Sequence, residues 1–306
     1  MPLLRYVAPI SVMITCVASC TLCAAMPRAY IPDPSLVSWA PGLEQLETFK
    51  FPFAAKFDDG VKHLIYVAGD HTTGLDSPNL KTVAAMFDEL TPQAVLVEGF
   101  RTKHDFSYTS LDLASFAKEN FKFASESMYA LYLAGRKGIA ARGGEPFDQD
   151  LLSEMLKINY SAQDVLGFLL VRMIPSWTLS GTIPDEQSFK AKAEKQLAHD
   201  RLVLGITLPF GYTELLDWYS KQDQNGPPIQ KIESHNLRPD NGPEATRLQK
   251  MAFDVDQVRE ARFLSQLESV INRYDRILVV YGGSHLCRER KMFEQMLGKS
   301  KDVKPF

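Results

Sequence analysis

Along the chain, short continuous apolar runs alternate with longer stretches that repeat at helical spacing. Residues 277–280, Ile-Leu-Val-Val, are entered from Asp275-Arg276 and left through Tyr281-Gly282-Gly283. Aliphatic residues in unbroken succession read as a strand buried on both faces, the mark of a parallel sheet. Residues 61–69 and 94–98 repeat the pattern, and Ile139-Ala140-Ala141-Arg142 is a shorter version. Between the first two, Ser77-Pro78 opens a helix whose Leu80, Val83, Ala84, Phe87 and Leu90 share one face, and Thr91-Pro92 closes it. Strand, helix and strand in such quick succession form a βαβ unit, which dictates a parallel pair and a right-handed crossover.

Further helices are predicted over 111–134, rich in Phe and Tyr, then over 148–158, 161–174, 185–204 and 213–222, and over 255–274 before the closing strand 276–281. The expected fold is α/β, a central mostly parallel sheet flanked by helices, with a helical cap inserted at about 148–222. The domain spans 61–297, between a Pro-rich tether or arm at 27–60 and a tail at 298–306. A polar loop at 223–244, studded with Pro and Gly, carries His235; loops of this length are usually functional or mobile, which makes His235 a secondary candidate.

The first residues change the picture of where the domain works. Arg5 precedes an uncharged stretch from Tyr6 to Pro27, and residues 1–26 have the make-up of a signal peptide. Within it Val17-Ala18-Ser19-Cys20 resembles the bacterial lipobox, whose cysteine is lipidated and becomes the mature N-terminus. Ala24-Ala25 also suits an ordinary secretory cleavage site, and the whole stretch between Arg5 and Arg28 could stay as a membrane anchor. Each version exports the domain, to the periplasm or the outer membrane of a bacterial envelope, and two of them attach it to a membrane. Three of the four cysteines lie in this leader, so neither a disulfide framework nor a zinc ribbon is expected. With a net charge of −3 and no basic segment interleaved with aromatics, nucleic acid is not an expected partner.

Candidate chemistry gathers at strand ends. His71 follows the first strand in Gly69-Asp70-His71, Glu98 closes the next, Glu145 follows Gly143-Gly144, and His285 follows Gly282-Gly283-Ser284. In a parallel sheet the carboxyl ends lie together, and ligands bind there. Two imidazoles and two carboxylates suit a borderline divalent cation such as Zn, Mn or Co. Such a cation acts as Lewis acid on its bound water, with a carboxylate beside it as general base. Asp70 is a further ligand or an orienting group. Glu98 at the end of an apolar strand needs a partner, which Arg101 or a metal could supply. The competing readings are structural: His285 as a helix cap, Glu98 and Arg101 as an ion pair, and Trp177, Trp218, Tyr212 and Tyr219 as packing rather than a substrate pocket. His199 lies in a solvated run, and Cys287, two residues after His285, points elsewhere on a helical turn.

Gly282-Gly283-Ser284-His285 resembles the G-x-x-H motif of the TraB/GumN/PrgY/Tiki proteins, a superfamily with erythromycin-esterase-like and ChaN-like members. Glu98 with Arg101 is similar to its E-x-x-R element, Gly144-Glu145 to its G-x-E, and Arg259-Glu260 to the R-(D/E) of the helix before the last motif. The resemblance spans roughly residues 61–297, and departs from the pattern at Ala68-Gly69-Asp70-His71, where the glycine falls one place late. The Tiki likeness implies an exported metal-dependent hydrolase of peptides or small molecules, with His71, His285 and a glutamate at the metal. The site would then comprise His71, Glu98, Glu145 and His285 with Arg101, Arg259 and Glu260 around them. The ChaN likeness implies instead a lipoprotein binding haem or iron. A third expectation is a non-catalytic envelope scaffold of the same fold.

Overall fold

Six strands form one sheet: β1 (Phe53–Asp58), β2 (His63–Gly69), β3 (Ala94–Val97), β4 (Ala140–Gly143), β5 (Arg276–Gly282) and β6 (Lys301–Val303). Their spatial order is β4-β3-β5-β2-β1-β6. This computed structural model describes residues 29–38, 50–71, 74, 76–101, 125–222 and 226–303. The leader with Cys20 and the aromatic segment at 102–124 lie outside the described residues.

Strands β4, β3, β5 and β2 are parallel, as their unbroken apolar runs demand. Register brings their ends to one level: Gly69 faces Gly282, Val97 faces Val280, and Gly143 faces Val97. The arm expected through residue 60 is interrupted by β1, which pairs antiparallel with β2. Asp58 and Asp59 build this hairpin by accepting the N–H groups of Gly60, Val61 and Lys62, with Gly60 at φ 85°. The tail expected at 298–306 contributes β6, an edge strand on β1.

Among the described residues eight α-helices surround the sheet. On one face α1 (Pro78–Leu90) and α2 (Glu126–Lys137) bury Val83, Phe87, Leu131 and Ala134 against Ile65, Val67, Val95 and Leu278. On the other, α7 (Arg247–Ile271) and α8 (Gly283–Leu297) bury Phe263, Leu267, Val270 and Phe293 against Leu64, Tyr66, Leu96 and Val279. Alternate strand residues thus serve opposite layers, which is why neither face needed polar positions. No helix among the described residues is long and apolar enough to cross a membrane.

Helices α3 (Asp148–Lys157), α4 (Ala162–Leu179), α5 (Glu186–Leu204) and α6 (Tyr212–Gln222) form the expected cap around a core of their own. Trp177, Trp218, Tyr212 and Tyr219 belong to that core, so they are packing. α7 starts at Arg247 rather than 255 because Thr246 and Gln249 form a capping box. Its first half supplies Leu248, Met251 and Val255 to the cap core, and its second half supplies the sheet core. One helix therefore runs through both units.

Asp164 ties the cap together. Its carboxylate completes the α4 capping box with Ser161, accepts Trp218 Nε1–H at 2.9 Å and meets Arg247 at 3.1 Å. Burial works to raise its pKa, but the Trp218 and Ser161 hydrogen bonds and the Arg247 charge outweigh it and hold the carboxyl below its ordinary value. A depressed carboxyl stabilises above its unfolded pKa, about 3.9, and that stabilisation is lost as pH falls through the folded value. Asp164→Asn is expected to cost about 2 kcal/mol at pH 7 by urea unfolding, the gap from wild type shrinking below about pH 4.

Candidate functional site

The four strand-end residues converge, with Glu98 at their centre. Its Oε2 accepts the Gly282 N–H at 2.6 Å and lies 3.8 Å from His71 Nε2, while Oε1 lies 3.7 Å from His285 Nε2. The close approach explains Gly282: a Cβ there would stand 2.9 Å from His71 Nε2 and 3.1 Å from Glu98 Oε2. Burial alone would raise Glu98, but His285, Arg259 and His71 together hold its carboxyl well below the usual range. It is a carboxylate at any physiological pH.

His71 sits just past β2 with φ 62°, a left-handed conformation that a non-glycine residue adopts only under constraint. The constraint is visible. Its Nδ1 is 2.7 Å from Glu126 Oε1, in the first turn of α2, and its ring is otherwise open to solvent. The Glu126 hydrogen bond is the largest influence on the imidazole and raises its pKa, with Glu98 adding to the effect.

The partner of the acids is Arg259 on α7. Its Nε and Nη2 hold Glu145 as a bidentate fork, both at 2.8 Å; Nη2 also donates to Glu98 at 2.9 Å and Nη1 to Asp256 at 3.3 Å. Glu145 thus spends both oxygens on a guanidinium. Arg101 goes elsewhere: its backbone bridges Gly144, and its side chain donates to the Pro146 carbonyl and pairs with Asp148 at 2.6 Å. Asp70 accepts Asn79 Nδ2–H at 2.7 Å, exposed at the rim. His235 lies on an exposed turn beside Glu233, 3.3 Å away. Cys287 is buried, and burial pushes its thiol up, away from the thiolate form.

Behind Glu98 the second nitrogen of His285 enters a buried acid pair. Nδ1 is 3.2 Å from Glu260 Oε2 and 3.5 Å from Glu289 Oε1, all three side chains being almost fully enclosed. Glu260, His285 and Glu289 offer one nitrogen and two oxygens within 4.8 Å of one another, a group that could hold a metal ion. Glu260 Oε1 and both Glu289 oxygens lack a hydrogen-bond partner. Burial, then the Glu260 charge, drives the Glu289 carboxyl far above its ordinary range. Burial opposes charge on His285, but Glu260, Glu289 and Glu98 outweigh it and raise the imidazole well above its usual value. Both Glu289 and His285 are thus biased toward their protonated forms.

Glu126 and Glu289 escaped the sequence reading. Glu289 had a local signal, lying four residues after His285 on one helical face. Glu126 had none, since its meeting with His71 spans 55 residues. No family model, curated protein or solved structure matches this chain.

Arg259→Met strands buried Glu145 and removes one of the partners of Glu98 and Asp256, and is expected to cost about 3–5 kcal/mol in urea unfolding. Arg101→Ala removes a half-exposed pair and should cost less than about 1 kcal/mol.

Proposed function

We propose that the protein is an exported metal-dependent hydrolase, similar in its motifs to the TraB/GumN/Tiki proteins, with peptides as the substrate class that likeness favours. One observation carries the reading: the buried Glu260, His285 and Glu289 group, with three carboxylate oxygens lacking a hydrogen bond, lies one imidazole away from Glu98, which Arg259 and the solvent-exposed His71 flank. The donor set fits a borderline cation such as Mn, Co or Zn, whose binding would displace the protons held on His285 and Glu289. Such a cation supplies Lewis acidity at the site.

This assignment moves the metal from the strand-end set His71, Glu98, Glu145 and His285 to one deeper in the fold, and keeps His285 in both. Glu145 serves as anchor for Arg259. Glu98, ionised and hydrogen-bonded by the Gly282 N–H and Arg259, supplies a fixed negative charge between the two imidazoles. His71, fixed at Nδ1 by Glu126, presents Nε2 to Glu98 and to solvent and is the group able to exchange a proton with water. Arg259 keeps Glu98 and Glu145 in place and adds positive charge beside the rim. A location in the cell envelope belongs to the same reading and rests on residues 1–26 alone. The haem alternative draws nothing from these side chains, since Tyr281 and His285 pack ring edge to ring in the interior.

Elemental analysis of protein purified without chelator tests the metal. Wild type and Glu145→Gln should carry one equivalent, and His285→Ala and Glu289→Gln should lose at least nine-tenths of it, about the effect of removing one of three ligands. Equal metal in all four proteins would refute the assignment. Peptide hydrolysis that appears on adding Mn²⁺ or Co²⁺ and is absent from His285→Ala would support the activity.

A further inference from the structure

A cavity of about 410 Å³ opens where the cap meets the sheet, lined by Arg101 from beyond β3, by Asp148 at the start of α3 and by Arg172, Met173, His199 and Asp200 of α4 and α5 among others. It adjoins the acid centre. Arg101 bridges Gly144, the residue before Glu145, and the Arg172 guanidinium is close enough to feel the charges of Arg259, Asp256, Glu145 and Glu98.

Most of the lining charge is already spent. Asp148 is paired with Arg101. Asp200 accepts Gln196 Nε2–H at 2.7 Å, and burial raises its carboxyl toward the neutral form. Arg172 differs. Its guanidinium lies over the Phe168 ring at 5.9 Å, and no hydrogen bond or ion pair engages it among the described residues. Burial is the main influence on this group and works against its charge, as does Arg259. A guanidinium does not give up its proton in a protein, so this half-buried group keeps its charge and turns its donors to the cavity.

We infer that this cavity binds a carboxylate of the substrate, held by Arg172. The inference deepens the hydrolase reading by naming the substrate class, peptides that carry a free carboxylate beside the scissile bond. A planar guanidinium with its fork of donors matches a carboxylate in two parallel hydrogen bonds. The group could be the chain-terminal carboxylate or the side chain of an acidic residue, and both present the same two oxygens.

Calorimetric titration separates these sources and needs neither metal nor turnover, so its failure is distinct from failure of the metal assignment. N-acetyl-L-alanine presents a terminal carboxylate, N-acetyl-L-isoglutamine only a side-chain one, and N-acetyl-L-alaninamide neither. At millimolar concentration one of the acids should bind the wild type about tenfold or more tightly than the amide. Arg172→Gln should erase that preference, and Arg172→Lys, which keeps the charge and guards against a folding defect, should retain part of it. Equal binding of acids and amide, a preference that survives in Arg172→Gln, or no binding of either acid would overturn the proposal.

Discussion

The grip of Arg259 on Glu145, Glu98 and Asp256 is the interaction on which the rest of the arrangement depends. Glu98 comes from the end of β3, Glu145 from the end of β4, and Asp256 from the previous turn of α7. Each carboxylate alone would be expensive to enclose, and so would the guanidinium; together they satisfy one another. The cluster exists only if α7 crosses the strand ends. That requirement accounts for a helix of 25 residues, rooted at one end in the cap core and at the other in the sheet core, with its charged turn where the two meet. Cap and sheet are therefore joined by the residues that build the site.

The parallel strands were legible because burial on both faces writes an unbroken apolar run, as in Ile277 to Val280. The strand β1 was not, since Phe53–Asp58 is short, carries Lys56 and Asp58, and looks like the arm around it. Its turn did leave a trace in Asp59-Gly60, a pair suited to a hairpin. β6 left none: three residues, two of them charged and exposed, pair with a strand nearly the whole domain away. The start of α7 could be read from the Thr246 and Gln249 capping box more reliably than from its apolar spacing, which two different cores had divided.

The site divides along the same line. Position after a parallel strand was enough to select His71, Glu98, Glu145 and His285, because sheet geometry brings such residues together whatever their separation in sequence. Which of them touch was beyond reach. Arg101, three residues after Glu98, is the nearest cation in sequence, yet it turns to Asp148, and the guanidinium at Glu98 comes from 161 residues further on. His285 is not a helix cap: Gly282 holds that position and no side chain caps the helix. It does lie in the first turn of α8, but both ring nitrogens face carboxylates, and the second reaches a pair that the strand-end pattern never pointed to.

Charge gives these pieces a common reason. Around the centre Glu98, Glu126, Glu145, Asp256, Glu260 and Glu289 face Arg259 and Arg288, an excess of four formal negative charges. His71, His285 and Glu289 are each shifted toward holding a proton, which offsets part of that excess. A divalent cation beside His285 would supply two positive charges from a single point and release the protons that now stand in for it. A buried cluster balanced purely for stability could have matched its acids with guanidiniums one for one, as Arg288 matches Asp256. Here the imbalance is concentrated on two carboxylates and an imidazole, groups whose protons a metal can replace, and that concentration is the physical ground for reading the cluster as a site.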